Sequence, residues 1–144
     1  MSGIQSLDQR RAAHAWTALQ GFADQHAPKN AKGVRVPTDK GKKYGVHVRK
    51  LPMRVMASGL GQALAFLLAK DYCPDLLAAL GDWVLDKRSN PVSKAPPPEP
   101  KKLLHDLIGG DSEFAQLATA ETLAYLRWLT RFAEAEGLTG VEED

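Results

Sequence analysis

The stretch ASGLGQALAFLLA, residues 57–69, decides the fold class of this chain. Leucines and a phenylalanine surround a row of small residues that recurs at every fourth position: Ala57, Gly61, Ala65 and Ala69. Spacing of four places side chains on one face of an α-helix, and small side chains let a second helix approach closely. Because a glycine inside a helix costs about 1 kcal/mol relative to alanine, Gly59 and Gly61 indicate a close contact or a junction between helices.

Helical spacing also occurs on both sides of this stretch. Ser6 and Gln9 form a capping box, which predicts the start of a helix. Proline in a first turn, apolar residues at helical spacing and glycines after the last turn mark further helices. The predicted segments run from Ser6 to about His26, from Pro74 to Leu85, from Lys101 to Ile108 and from Thr119 to about Glu136.

The segment before residue 57 allows two interpretations. Residues 34–36 and 46–48 alternate apolar and polar side chains around a glycine-bearing turn, which is typical of a β-hairpin. A helical stripe competes with it: Tyr44, Val48, Leu51 and Val55. Because this stripe continues into residues 57–69, we favour a helix from about Lys40. Pro52 should break or kink it, since proline removes a backbone donor and clashes with the preceding turn.

The whole chain is therefore predicted to form one all-α bundle of about six helices. Its 144 residues and 44% hydrophobic content suffice for one domain, residues 1–144, with a single core. Five prolines between residues 87 and 102 predict an extended surface loop. We also expect residues 28–40 and 87–102 to be flexible loops and residues 138–144 to be a disordered tail.

Charge is distributed unevenly along the chain. The segment from residue 29 to residue 54 holds one acid, Asp39, and nine basic residues: Lys29, Lys32, Arg35, Lys40, Lys42, Lys43, Arg49, Lys50 and Arg54. Its net charge is +8, and the formal +2 of the chain leaves −6 for the remaining residues. Because the basic segment runs directly into an apolar helix, the charge is attached to a folded scaffold. One face of the protein is predicted to bind a polyanion such as RNA.

Other classes of protein are disfavoured by the composition. Cys73 is the only cysteine, so an intramolecular disulfide is impossible, and no signal-peptide pattern precedes Arg10. No apolar run reaches the roughly 20 residues of a membrane span. The four histidines, His14, His26, His47 and His105, lack the spacing of a metal site. We expect a cytoplasmic protein without metal, cofactor or membrane contact.

Two alternatives to simple RNA binding remain open. An imidazole among lysines has a lowered pKa and can act as a general base, so His47 makes a small metal-independent ribonuclease conceivable. Such an enzyme needs a second acid or base, which the sequence does not identify. The basic face could instead bind an acidic protein partner, in which case the chain would be a pure protein-interaction subunit.

Several blocks of the sequence are similar to a known family. They are Gln9 to Ala13, Arg49 to Pro52, Ser58 to Leu67 and Thr119 to Glu134. Together they resemble the small all-helical Cmr-type subunit of type III-B CRISPR RNA-silencing complexes. The glycine block and the ending Trp-Leu-x-Arg-Phe-Ala form the more specific pair.

The resemblance implies a non-catalytic subunit for antiviral defence. Members of such a family are present in several copies and stack into a short filament beside the backbone subunit, which carries the guide RNA and cleaves the target. Contacts with the large signature subunit, and with guide and target RNA, are implied as well. The matched positions Arg49, Lys50 and Arg54 are candidate phosphate contacts. Lys42 and Lys43 join them on charge alone.

Overall fold

Six α-helices make up most of the part of the chain that the structure describes. The computed structural model describes residues 3–138. The helices are α1 (Leu7–His26), α2 (Asp39–Ser58), α3 (Leu60–Lys70), α4 (Pro74–Asp82), α5 (Lys102–Gly109) and α6 (Ser112–Ala135). A π-helical turn, Trp83–Lys87, continues α4. Between residues 3 and 138, β-structure is limited to one antiparallel bridge between Lys29 and Arg35, and the predicted all-α bundle is confirmed.

The beginning of α1 is fixed by the predicted capping box. The amide of Gln9 donates to the Ser6 hydroxyl over 3.0 Å, and the amide of Ser6 donates to the Gln9 side chain over 2.8 Å. The predicted start of α6, with Thr119 as its N-cap, is wrong by about two turns. Its N-cap is Asp111, which accepts from the Phe114 amide, whereas the hydroxyl of Thr119 donates to a carbonyl inside the helix.

The helical interpretation of residues 40–57 is confirmed, and of the break or kink expected at Pro52 the break does not occur. α2 passes through Pro52 and ends at Ser58. The stripe that predicted this helix is buried along its whole length, which holds the helix together where one backbone hydrogen bond is missing. The chain turns instead at Gly59, with φ 86° and ψ 158°. This is a conformation that essentially only glycine adopts.

The core lies around α6, which packs against both α1 and α2. Tyr125, Leu126 and Leu129 are fully buried, as expected for a helix whose apolar surface is too wide for one neighbour. α3 packs against α2, and α5 fills the space beside α3 and α4. This arrangement leaves one side of α2 without a covering helix.

The proline-rich loop is held against the helices by polar contacts. Lys87 Nζ donates to Asp82, to Asp86 and to the carbonyl of Ala95. Most of the loop is exposed, as predicted for a surface segment. At the other end of the chain, Leu138 is buried in the core, and residues 139–144 of the predicted tail lie outside the described residues.

Candidate nucleic-acid interface

All five cations that were selected from the sequence project from the solvent side of α2. The buried stripe of this helix faces the core, and helical spacing places Lys42, Lys43, Arg49, Lys50 and Arg54 on the opposite half. The first four are exposed, and Arg54 is half-buried. We call this set of five residues the basic face. It is one helix surface about four turns long.

Four residues of α2 form a single row along one edge of the basic face. Lys43, His47, Lys50 and Arg54 follow one another at steps of four, three and four residues. The pKa of His47 is lowered by its burial and by the charges of Arg54, Lys50 and Lys43. The positive charges of three neighbouring side chains thus disfavour protonation of His47, and its imidazole is neutral near pH 7.

The basic face has no acidic partner of its own. Among residues 3–138, no ion pair joins any of its five cations to a carboxylate. Unpaired cations on one surface repel one another, and bound phosphates relieve that repulsion. The arrangement is therefore suited to an external polyanion.

Arg35 does not belong to this surface, although it lies in the same basic segment. Its side chain is 4% exposed and forms ion pairs with Asp24 at 2.9 Å and Glu136 at 2.7 Å. It also donates to Gln20 and to the carbonyl of Ala27. Arg35 therefore adds no free charge to an outward surface of the basic segment. Its charge is neutralised inside the fold.

Two aromatic side chains beside the basic face were not identified from the sequence. Phe66 on α3 lies 4.5 Å from the guanidinium carbon of Arg54, measured to the ring centroid. Tyr72 stacks on His47 with 4.4 Å between centroids. Tyr44, the only aromatic residue of the basic segment, is buried against Phe22 and cannot stack on a base. Gly59 was the one feature of the sequence that could have predicted these neighbours. A turn at Gly59 folds α3 back along α2 and so brings Phe66 beside the basic face.

Exposed methionines extend the outward surface of α2. Met53 is 75% exposed and Met56 is 78% exposed. Both lie in line with Lys42 and Arg49 at helical spacing. Flexible thioether side chains adapt to irregular surfaces and are common where proteins bind other molecules. The outward side of α2 therefore combines positive charge with apolar contact area.

The four histidines lie on separate parts of the fold. His14 on α1 contacts Tyr125 and Asp82, each at 2.7 Å. His26 ends α1 against Phe22, and His105 lies on α5. His47 contacts Tyr72 and Arg54. A ribonuclease built on His47 would need a second catalytic group. Within residues 3–138, none of the other three histidines contacts His47.

A groove of about 790 Å³ lies between α1, α4 and the proline-rich loop. Small and apolar side chains form most of its wall, and His14, Asp82 and Lys87 lie at one end. Both carboxylate oxygens of Asp82 are occupied, since one accepts from Lys87 and the other contacts His14. The carboxylate of Asp82 is therefore already satisfied by its two neighbours in the groove.

Neither metal nor thiol chemistry is indicated near the basic face. Over residues 3–138, no cluster of three or more metal-ligating side chains occurs. Cys73 is buried, and burial with the nearby charge of Asp75 raises the pKa of its thiol to about 12. A thiol with such a pKa is not a nucleophile at neutral pH.

None of the helices between residues 3 and 138 is long and apolar enough to cross a membrane.

Two comparisons with known proteins bear on this structure. Residues 7–136 match the sequence model of the family described as CRISPR-associated protein (Cas_Cmr5). The fold matches the X-ray crystal structure of a CRISPR-associated Cmr5 family protein from Thermus thermophilus, with a TM-score of 0.68 and 21% identity. This match covers 92% of the present chain and 98% of that one. At this level of identity, the structural likeness shows the fold alone.

Proposed function

The chain belongs to the Cmr5 family of CRISPR-associated proteins and is a subunit of a type III CRISPR complex, and we propose that its part there is architectural. In this proposal the subunit does no chemistry and offers the basic face of α2 to guide or target RNA. Copies of it stack into a filament beside the backbone subunit and contact the large signature subunit. Cleavage is left to the other subunits.

The observation that carries the proposal is the unpaired state of the basic face. Lys42, Lys43, Arg49, Lys50 and Arg54 share one helix surface, and within the described residues none is neutralised by a carboxylate. Neutralising phosphates with such a row releases condensed counterions, which favours binding whatever the base sequence. Binding that follows the phosphate backbone suits a subunit whose complex must accept many guide sequences.

Charge reversal on the basic face tests the proposal. We expect the triple variant Arg49→Glu, Lys50→Glu and Arg54→Glu to fold and to enter the reconstituted complex. Its affinity for target RNA should fall by about tenfold to hundredfold, and the slope of log K against log salt should lose about 2 units. Fluorescence anisotropy with labelled single-stranded RNA at several salt concentrations measures both quantities.

The matched control reverses the same number of exposed charges on other elements, at Lys94, Lys101 and Arg127. It should change RNA affinity far less, since these residues lie outside α2. An equal loss in both variants would mean that only the overall charge matters, and an unchanged affinity of the first variant would exclude the basic face from RNA binding.

A protein partner for the same surface is the second candidate, favoured by the exposed Met53 and Met56. The two candidates differ in what charge reversal disrupts. If α2 faces RNA, native mass spectrometry should find the triple variant in complete complexes with weakened RNA binding. If α2 faces an acidic subunit, the variant should be missing from the complex.

A further inference from the structure

Arg54 differs from the other four cations of the basic face because its guanidinium is held in place. Its Nη1 lies 3.1 Å from Nδ1 of His47. Its guanidinium carbon lies 4.5 Å from the centroid of the Phe66 ring. An arginine side chain is always a donor, so Nδ1 of His47 must accept and the imidazole proton must lie on Nε2. Two contacts from different helices thus fix one planar group.

The two contacts leave most of the guanidinium available. Apart from the bond to His47, no hydrogen bond from Arg54 to another group is formed within residues 3–138. The group is half-buried, whereas Arg49 and Lys50 are exposed. A fixed guanidinium loses less conformational freedom when it binds a phosphate than a free lysine does, and its fork can engage two phosphate oxygens together.

We propose that His47 and Phe66 are positioning residues that hold Arg54 as a preformed binding fork for one phosphodiester group of the RNA. This rests on the proposed function, because the fork lies in the row of Lys43 and Lys50. The flexible lysines then contact neighbouring phosphates without fixing them. Arg54 sets the register of the strand along α2.

The protonation state of His47 agrees with this role. The groups that face it are Arg54, Lys50 and Lys43 of its own helix and the ring of Tyr72 from the segment after α3. Burial and the three positive charges hold its pKa below the usual value, so that Nδ1 remains an acceptor near pH 7. A protonated imidazole could not accept from Arg54 and would repel it.

Three single substitutions separate the acceptor from the ring. His47→Phe keeps an aromatic ring for Tyr72 but removes the acceptor, and it should weaken RNA binding by the complex about fivefold. His47→Asn places a carbonyl oxygen near the position of Nδ1 and should retain most of the affinity. Phe66→Leu removes the ring under the guanidinium but keeps apolar bulk, and it should weaken binding by about threefold. Thermal unfolding of each variant verifies the fold.

A double-mutant cycle with Arg54→Ala decides whether His47 and Phe66 act through Arg54. In that background, His47→Phe and Phe66→Leu should cause no further loss of RNA affinity. Full additive losses would overturn the proposal, as would equal effects of His47→Phe and His47→Asn. If charge reversal weakens RNA binding but His47→Phe and Phe66→Leu do not, the inference fails and the proposed function stands. If Arg54→Ala and charge reversal both leave affinity unchanged, both fail.

Discussion

Glu121 illustrates how a single residue on the central helix joins two neighbouring elements. Its carboxylate accepts from Arg11 of α1 over 2.9 Å and from the indole of Trp83 over 3.0 Å. Burial raises the pKa of Glu121, but the hydrogen bonds donated by Arg11 and Trp83 outweigh that effect and hold the pKa below its usual value of 4.5. The carboxylate is therefore charged and paired in the folded protein.

We expect Glu121→Ala to lower the free energy of unfolding by about 3 kcal/mol. The substitution leaves the indole of Trp83 without its acceptor and leaves Asp8 as the one carboxylate that still pairs with the buried guanidinium of Arg11 within residues 3–138. Urea unfolding followed by circular dichroism measures the change. Glu113→Ala, in the exposed first turn of the same helix, is the control and should cost less than about 0.5 kcal/mol.

The same pair should respond to acid. Because the pKa of Glu121 is lower in the folded than in the unfolded chain, its contribution is present above pH 4.5 and is lost as the pH falls through the folded value. The stability difference between the wild-type protein and Glu121→Ala should shrink at low pH. A constant difference down to about pH 2 would show that the loss comes from packing alone.

At the scale of elements, Gly59 determines where α2 ends and how α3 returns along it. Its backbone has φ 86° and ψ 158°, yet a Cβ added there would meet no atom within 4 Å. The restriction is therefore entirely one of backbone conformation. Because α3 carries Phe66, this one turn also brings the aromatic ring to Arg54.

Gly59→Ala should destabilise the protein by about 2 kcal/mol, because alanine is strained in this conformation. Gly21→Ala is the matched control. Gly21 lies inside α1, and an added Cβ would likewise meet nothing within 4 Å. That substitution should stabilise the protein by about 0.5–1 kcal/mol. Differential scanning calorimetry of both variants tests the pair, and equal shifts of Tm would rule out the conformational explanation.

For the whole molecule, Arg35 ties three segments together. The loop before α2 carries it, and its partners are Asp24 and Gln20 on α1 and Glu136 directly after α6. A residue of the basic segment thus closes the fold where the loop meets the end of the central helix. Long-range ion pairing therefore neutralises one charge of the basic segment inside the fold.

Arg35→Ala should lower the free energy of unfolding by about 2 kcal/mol, because it leaves the half-buried carboxylate of Glu136 unpaired. Lys32→Ala, three residues earlier on the exposed loop, should have an effect below about 0.5 kcal/mol. Thermal and urea unfolding compare the two. A loss of RNA affinity in Arg35→Ala without any loss of stability would instead place Arg35 on the RNA-binding surface.

The amino-acid sequence by itself determined the helices and the family. Caps and helical spacing act over a few residues, so the start of α1, the helix through Tyr44 and Val55 and the all-α class followed from local chemistry. The helix does not break at Pro52, and the late start expected for α6 was wrong, because tertiary packing and a better N-cap outweighed the local signals.

The tertiary structure alone decided which charges are available and what lies beside them. Arg35 and Arg54 look equivalent in sequence, but one is neutralised by Asp24 and Glu136 and the other is held by His47 and Phe66. These partners are separated along the chain, so their meeting depends on how the helices pack. Local spacing placed the cations on α2, and packing around α6 left that side of α2 uncovered.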